Sequence, residues 1–305
     1  MSIFPTKILL ATDGSEDAEL AATNALALAK QTGSELHLIH CLALPLDTQD
    51  RLSFEPNVRR ELERRAREGL EESVGKIEAS GGKVGGSHPR VGRPDAEIID
   101  EAEQIGAGLI VMGSRGLGRI RRALMGSVSD SVVRHAHCPV MVVREGAAVF
   151  PSTILLATDG SEEARLAATT AADVAERTGS ELHVVHVGEV RPVYHPERHG
   201  YLARYEELQE QAQRLLKEQV EQVKAAGSEV AEAHLRMGRA DEEIVVLGQE
   251  IGAGLIITGS RGLGGIRRAL MGSIPDSVVR HAHCPVMVVR PDKEHTVERE
   301  GDFLT

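Results

Sequence analysis

Short apolar runs alternate with segments of helical periodicity along the first half of the chain. Apolar residues recur every three or four positions in Ser15–Gln31 and again from Val58 to Ile77, which places them on one face of a helix. Gly33 and Gly81 follow these two segments, as glycine often does at a helix end. Shorter helices are predicted at Asp95–Ile105 and Gly126–His135, and strands at Lys7–Ala11, Glu35–Cys41, Lys83–Arg90, Leu109–Met112 and Val140–Val143.

This alternation of strands and helices predicts an α/β fold with a parallel sheet and helices on both faces. Ligands of such folds bind at the carboxyl ends of the strands, where the strand order reverses. Two loops at these ends are rich in functional residue types, namely Thr12–Gly14 after the first strand and the segment from Gly113 after the fourth.

The second half of the chain repeats the first. Residues 8–16 recur unchanged as residues 154–162, and residues 104–144 are nearly identical to residues 250–290. The middle of each copy, residues 41–87 and 187–233, shows little similarity. The repeat predicts two tandem domains of five strands each, at residues 1–146 and 147–290, followed by a mobile acidic tail at residues 291–305.

Composition narrows the function classes. The chain has 305 residues, 2 % aromatic residues and a net charge of −11, so we expect cores of Ala, Val, Ile and Leu. An acidic, aromatic-poor chain lacks the basic surface and the stacking platform of a nucleic-acid binder, and its charge disfavours an anionic membrane. Three cysteines and no apolar leader or membrane-spanning run predict a cytoplasmic protein without a disulfide framework.

A glycine-rich loop is the main chemical signal. The loop lies between a strand and a helix and contains Gly113, Gly116, Gly126 and Ser127. Glycines let a ligand approach the backbone closely, and the N–H groups at the start of a helix attract a phosphate. The loop recurs in the second copy, and Arg115 and Arg261 add positive charge. A simple strand-to-helix turn would need only two to six residues, so we favour phosphate binding. Neither a Walker A loop nor the dinucleotide fingerprint is present.

The spacing Gly113-x₂-Gly116-x₉-Gly126-Ser127 resembles the ATP-binding pattern of the universal stress protein family, and Gly259-x₂-Gly262-x₉-Gly272-Ser273 resembles it again. The resemblance covers nearly all of residues 3–290. It implies a five-stranded parallel sheet of order 3-2-1-4-5 in each domain, with ATP, optionally with Mg²⁺, between the first and fourth strands. The implied nucleotide-binding residues of the first domain are Thr12, Asp13, Cys41, Gly113, Arg115, Gly116, Gly126, Ser127 and Ser129. Those of the second are Thr158, Asp159, Val187, Gly259, Arg261, Gly262, Gly272 and Ser273.

Two differences separate the copies. Pro275 stands where the first copy has Ser129, which removes a hydroxyl and an N–H, and Gly265 stands where it has Arg119. The second site is therefore expected to bind triphosphate more weakly. The resemblance also implies pairing of last strands, which here would join the two domains within one chain, and a homodimer is a further option.

The leading interpretation is a regulatory, stress-response protein that binds ATP. The alternative is a slow ATPase or nucleotidyl-transfer enzyme. Each site offers only one obvious carboxylate, Asp13 in the first and Asp159 in the second, and no evident base for hydrolysis. Loss of binding, or flavin binding, is a remoter option. His135–Cys138 and its second copy suggest a metal, but a helix end beside a buried cysteine explains them better, so no metal site is predicted. The residues leave open whether Tyr194, Tyr201 and Tyr205 wall the pocket or an interface.

Overall fold

A computed structural model describes residues 3–43, 56–117, 125–144, 152–188, 200–263 and 271–291, with the backbone alone at residues 56 and 200–205. These residues form two compact units, one within residues 3–144 and the other within residues 152–291. We call them repeat 1 and repeat 2. The expected tail beyond residue 291 lies outside the described residues.

Repeat 1 has five strands and four described helices. The strands are β1 (Lys7–Thr12), β2 (Glu35–Ala43), β3 (Val84–Gly92), β4 (Ala107–Gly113) and β5 (Val140–Val143). The helices are α1 (Glu16–Thr32), α2 (Pro56–Ala79), α3 (Pro94–Ile105) and α4 (Ser127–His135). The prediction placed all of these elements, with ends that differ by a few residues because helix and strand termini carry weaker periodic signals.

Repeat 2 has the same order of elements. Its strands are β6 (Thr153–Ala157), β7 (Glu181–Gly188), β8 (Glu232–Met237), β9 (Leu255–Gly259) and β10 (Val286–Val289). Its described helices are α5 (Glu162–Thr178), α6 (Gly200–Ala225), α7 (Ala240–Glu250) and α8 (Ser273–His281).

Both repeats have the expected strand order. Repeat 1 runs β3-β2-β1-β4-β5 and repeat 2 runs β8-β7-β6-β9-β10. Every pairing between these neighbours within a repeat is parallel. The first strand of each repeat therefore lies between its second and fourth strands, and the order reverses there. The carboxyl ends of β1 and β4, and of β6 and β9, meet at this point.

The cores are aliphatic, as the composition predicted. Ile8, Leu9 and Leu10 of β1 have no exposed surface, and the same is true of Ile154–Leu156 in β6. Alanines such as Ala21 and Ala25 of α1 pack against the sheet, which lets the helix approach closely. In the part of the chain that the structure describes, no helix combines the length and the apolar character needed to cross a bilayer.

Candidate functional site

An aspartate joins two loops at the strand switch in each repeat. Asp13 accepts a hydrogen bond from Ser15 N (3.0 Å) through Oδ1 and one from Leu117 N (3.0 Å) through Oδ2. Asp159 makes the same pair of contacts, with Ser161 N at 3.0 Å and Leu263 N at 2.8 Å. The carboxylate thus fastens the loop after the first strand to the glycine-rich loop after the fourth.

The fold itself requires glycine at two positions of the loop in repeat 1 and at Gly262 in repeat 2. A Cβ on Gly116 would lie 2.3 Å from Asp13 Oδ2, and a Cβ on Gly262 would lie 2.3 Å from Asp159 Oδ2. A Cβ on Gly113 would lie 2.8 Å from the backbone carbon of Asp17 in α1. Such distances are far below van der Waals contact, so a side chain at any of these positions would displace a neighbour.

A second carboxylate, which the sequence analysis did not identify, holds the glycine-rich loop. Asp17 is 6 % exposed and accepts hydrogen bonds through Oδ2 from Ser114 Oγ (2.7 Å), Arg115 N (3.1 Å) and Arg115 Nε (3.3 Å). In repeat 2, Glu163 Oε1 lies 3.1 Å from Arg261 Nε. In the sequence, an acidic residue in the first turn of a helix is explained by the helix dipole alone. Only the contact between Asp17 and Arg115, which are 98 residues apart, reveals that Asp17 also holds the loop.

Gly126 and Gly272 differ from the other loop glycines. They are the N-cap residues of α4 and α8, where no side chain forms a capping hydrogen bond, and their φ angles of −74° and −75° suit any residue. A Cβ on Gly126 would have no neighbour closer than 3.5 Å, and on Gly272 none closer than 3.4 Å. Nothing in the described fold explains why these positions lack a side chain, which is the pattern expected where a ligand approaches the backbone.

The position that differs between the repeats holds a serine in repeat 1, and its hydroxyl group is already engaged in a hydrogen bond within the protein. Ser129 is buried and donates a hydrogen bond to the Gly113 carbonyl oxygen (2.8 Å). Pro275 is also buried, at the third helical position of α8. The backbone N–H that proline lacks is one of the free donors in the first turn, so the difference bears on the backbone more than on the hydroxyl. Ser127 and Ser273, which begin α4 and α8, are exposed.

Residues near the carboxyl end of the second strand of each repeat lie beside the first strand. Burial raises the pKa of the Cys41 thiol to about 12, which keeps it protonated and unreactive at neutral pH. Burial lowers the pKa of His40, an effect that Asp13 opposes. His40 Nδ1 is buried and has no hydrogen-bond partner among the described residues, whereas His186 Nδ1 lies 2.9 Å from the Thr158 carbonyl oxygen.

Repeat 2 contains a cavity of ≈ 790 Å³ at the carboxyl ends of β6 and β9. Residues from α6 (Leu208, Ala212 and Leu215) and Ile244 of α7 supply apolar wall. All eight residues that the sequence analysis assigned to the second site line this cavity, namely Thr158, Asp159, Val187, Gly259, Arg261, Gly262, Gly272 and Ser273. Its volume falls in the range of small-molecule sites.

Several predicted features lie outside the described residues. They include the loop segments 118–124 and 264–270, with Arg119 and Gly265, and Tyr194; the side chains of Tyr201 and Tyr205 are not described either. His135 and His137, the histidines of the motif that suggests a metal, contact different groups of the protein. His135 Nδ1 lies 2.7 Å from the Ser131 carbonyl oxygen, and His137 Nε2 lies 2.8 Å from Glu103 Oε1.

Comparison with known proteins identifies the family. The model of the universal stress protein family matches residues 5–144 and again residues 152–290. A universal stress protein of Mycobacterium tuberculosis is 27 % identical over 297 residues, which cover 93 % of this chain and 96 % of that protein. One of Mycolicibacterium smegmatis is 34 % identical over 201 residues, 64 % of this chain and 65 % of the relative. In that alignment the chain spans less than two thirds of the relative's length.

A solved structure supports the same assignment. The crystal structure of a universal stress protein from Archaeoglobus fulgidus shares 28 % sequence identity with this chain, at a TM-score of 0.66. The match covers 94 % of this chain and 98 % of that one. The chain is therefore a member of the universal stress protein family that carries two copies of the family's domain in tandem.

Proposed function

We propose that each repeat binds one adenine nucleotide, ATP in the first place, and that the bound nucleotide sets the stability or the interaction state of the chain. The observation that carries this proposal is the cavity of repeat 2. The glycine-rich loop, the Asp159 carboxylate and the start of α8 all line this cavity. In repeat 1 the Asp13 carboxylate and the Ser114 carbonyl oxygen accept the same backbone hydrogen bonds from the loop as their counterparts in repeat 2. We therefore propose the same site there.

The phosphates would lie against the start of α4 or α8. The first N–H groups of a helix carry partial positive charge and have no partner within the helix. In α1 the Ser15 side chain accepts from Ala18 N and satisfies part of this demand, whereas α4 and α8 begin at glycines without a side-chain cap. Arg115 and Arg261 border the same loops and add cationic charge, and Mg²⁺ would accompany a triphosphate.

The adenosine would occupy the apolar part of the cavity. The backbone around Val187 at the end of β7 offers N–H and C=O groups to a base edge, and Leu208, Ala212 and Leu215 offer an aliphatic surface. No tryptophan occurs in the chain, so the adenine ring would pack against these aliphatic side chains and not against an indole ring.

Binding fits the geometry better than catalysis. Asp159 is the only carboxylate among the described residues that line the cavity. Both of its oxygens accept backbone N–H groups, which suits a positioning role. Efficient phosphoryl transfer to water needs a residue that orients the attacking water; among the described lining residues Gln211 and His186 could do so, but no second carboxylate is present to act as a base.

The nature of the bound molecule is tested directly. Purified full-length protein is denatured, and the released small molecules are separated and identified by mass spectrometry. Release of ATP supports the proposal, and release of ADP that increases with incubation supports the slow ATPase instead. If nothing is released and added ATP, with or without Mg²⁺, gives no calorimetric binding signal, the proposal is wrong.

The place of binding is tested with Gly126→Ala and Gly272→Ala. A new methyl group would obstruct the phosphates but meets no close neighbour in the described fold, so each variant should lose one calorimetric ATP site while staying folded, with only the small loss of stability that alanine causes at an N-cap. Thr23→Ala, on the exposed surface of α1, is the matched control and should keep both sites. Two unchanged sites in the glycine variants would contradict the placement.

A further inference from the structure

A second cluster of polar side chains lies on the sheet of repeat 2, away from the nucleotide cavity. His183 Nδ1 and His234 Nε2 are 2.9 Å apart, and Glu232 Oε2 is 3.9 Å from His234 Nε2. One ligand atom from each of the three residues lies within 4.8 Å of the other two. His183 is four residues before Val187 on β7, about 13 Å at 3.3 Å per residue, so this cluster is distinct from the proposed nucleotide site.

The topology explains why the three side chains converge. His183 pairs in register with Glu232, and Val185 pairs with His234. Residues two apart on a strand point to the same face of the sheet, so Glu232 and His234 flank His183 on one face. β8 stands at the end of the strand order of repeat 2, and the Glu232 side chain is 65 % exposed, which leaves a path for a small ion.

We propose that His183, Glu232 and His234 form a binding site for a divalent transition metal of the zinc class. Two imidazole nitrogens and one carboxylate oxygen are ligands that Zn²⁺ prefers, with a water completing four-coordination. At bond lengths of 2.0–2.2 Å, ligand atoms of a tetrahedral site lie about 3.3 Å apart. The observed separations of 2.9 Å and 3.9 Å lie on either side of this value.

Repeat 1 has the same histidine pair with its carboxylates on the outer ring nitrogens, since Glu101 lies on His88 Nδ1 and Glu35 Oε1 lies 3.5 Å from His37 Nε2. His37 Nδ1 and His88 Nε2 are 3.1 Å apart, but Gly86 stands in place of Glu232, and a Cβ there would lie 2.5 Å from His37 Nδ1. His88 Nδ1 instead contacts Glu101, which is 2 % exposed, at 2.7 Å. Glu101 also pairs with Arg90. The pair of repeat 1 is therefore part of a buried ion-pair network.

Among the described residues, repeat 2 lacks that network and has a carboxylate at the position of Gly86. The position of Glu101 is taken by Leu247, which is 1 % exposed. Arg236, the counterpart of Arg90, pairs with Glu250 on α7. A metal at His183, Glu232 and His234 would fasten the last strand of the order, β8, to β7.

The test uses the full-length chain after removal of metal with a chelator. Zn²⁺ is titrated in competition with a chromophoric chelator, and Co²⁺ is used as a spectroscopic probe of four-coordination. We expect one tight Zn²⁺ per chain and intense visible absorption with Co²⁺. Glu232→Gln and His234→Gln should weaken binding at least as much as the roughly 10- to 100-fold that loss of an outer partner costs.

His88→Gln in repeat 1 is the matched control and should leave the tight site and the Co²⁺ spectrum unchanged. Because the Glu232 side chain is largely exposed, Glu232→Gln should fold even if His234→Gln does not. Absence of stoichiometric Zn²⁺ binding in the wild type, equal affinity in Glu232→Gln, or an equal loss in His88→Gln would each overturn the proposal. ATP binding is measured on the same samples and should not change, so this outcome is independent of the proposed nucleotide function.

Discussion

At the scale of single residues, the glycines of the loop after β4 are of two physical kinds. Gly113 and Gly116 lack a side chain because the backbone of α1 and the Asp13 carboxylate occupy the space that a Cβ would need. A Cβ on Gly126 would make only ordinary van der Waals contacts, the nearest at 3.5 Å. The first kind maintains the loop, and the second is where we propose that a ligand approaches the backbone. Substitutions should therefore separate stability from binding.

Gly116→Ala should destabilise repeat 1 even without nucleotide. Its methyl group would push the Asp13 carboxylate from Leu117 N, and overpacking of this kind costs about 1–3 kcal/mol. Urea unfolding of the nucleotide-free protein measures the effect, with Gly126→Ala as the comparison that should lose less stability, since its methyl group meets no close neighbour and only the N-cap preference for glycine over alanine is lost. Equal stability of the two variants would contradict this division.

His40 should make the protein less stable in mild acid. Burial lowers its pKa from 6.5, so below about pH 6.5 the unfolded chain binds a proton that the folded chain does not. The free energy of unfolding then falls as the pH decreases. His40→Gln should flatten the dependence of the unfolding temperature on pH between about 7 and 5. Burial also lowers the pKa of His88 and His234, so a smaller dependence remains; an unchanged slope would refute the assignment to His40.

At the scale of elements, the helices next to the site begin in contrasting ways. Ser15 and Ser161 cap α1 and α5, and their hydroxyl groups also donate to the carbonyl oxygens of Arg115 and Arg261 (3.2 and 3.4 Å). α4 and α8 begin at glycines without such a cap. A side chain caps the first pair of helices, whereas the N-cap residues of the second pair form no side-chain cap.

Ser15→Ala should lower the stability of repeat 1 by about 1 kcal/mol, the usual cost of losing an N-cap. It should also loosen the glycine-rich loop, because the contact with the Arg115 carbonyl is lost. Amide hydrogen exchange at residues 113–117 measures the second effect. Thr23→Ala, which removes only a hydroxyl bonded within α1, should change neither quantity. Identical exchange in both variants would show that the cap does not support the loop.

At the scale of the whole molecule, the proposed nucleotide site occurs twice in one chain, and the described residues of the two copies differ at Ser129 and its counterpart Pro275. Proline at position 275 removes an N–H from the first turn of α8, whereas Ser129 keeps that donor in α4. The serine hydroxyl is already used by the Gly113 carbonyl. The expected difference in affinity therefore arises from the backbone donor.

Calorimetric titration with ATP should reveal two sites per chain, the weaker one in repeat 2. A hydrogen bond to a charged group contributes about 1.5–3 kcal/mol, or roughly 10- to 100-fold in affinity. Gly126→Ala and Gly272→Ala assign each site to its repeat, and Pro275→Ser should strengthen the second site toward the first. Equal affinities in the wild type, or no gain in Pro275→Ser, would contradict this explanation.

The fold follows from signals that are local in the chain. Apolar residues every three or four positions mark helices such as α1, and short apolar runs such as Leu9–Ala11 mark strands. The recurrence of residues 8–16 at 154–162 shows that this pattern occurs twice. Periodicity and repetition depend only on neighbouring residues and on spacing, so they can be read without coordinates. The glycine spacing likewise marks the loop after the fourth strand of each repeat.

The contacts that shape the sites are not local, and the tertiary structure alone reveals them. Asp17 meets Arg115 across 98 residues, and His183 meets His234 across 51. Each contact depends on which strands are neighbours and on their register, and a shift of one residue would turn the side chains to the opposite face. The residue types and their periodicity are properties of the chain itself, whereas the meeting of distant side chains is a property of the packed sheet.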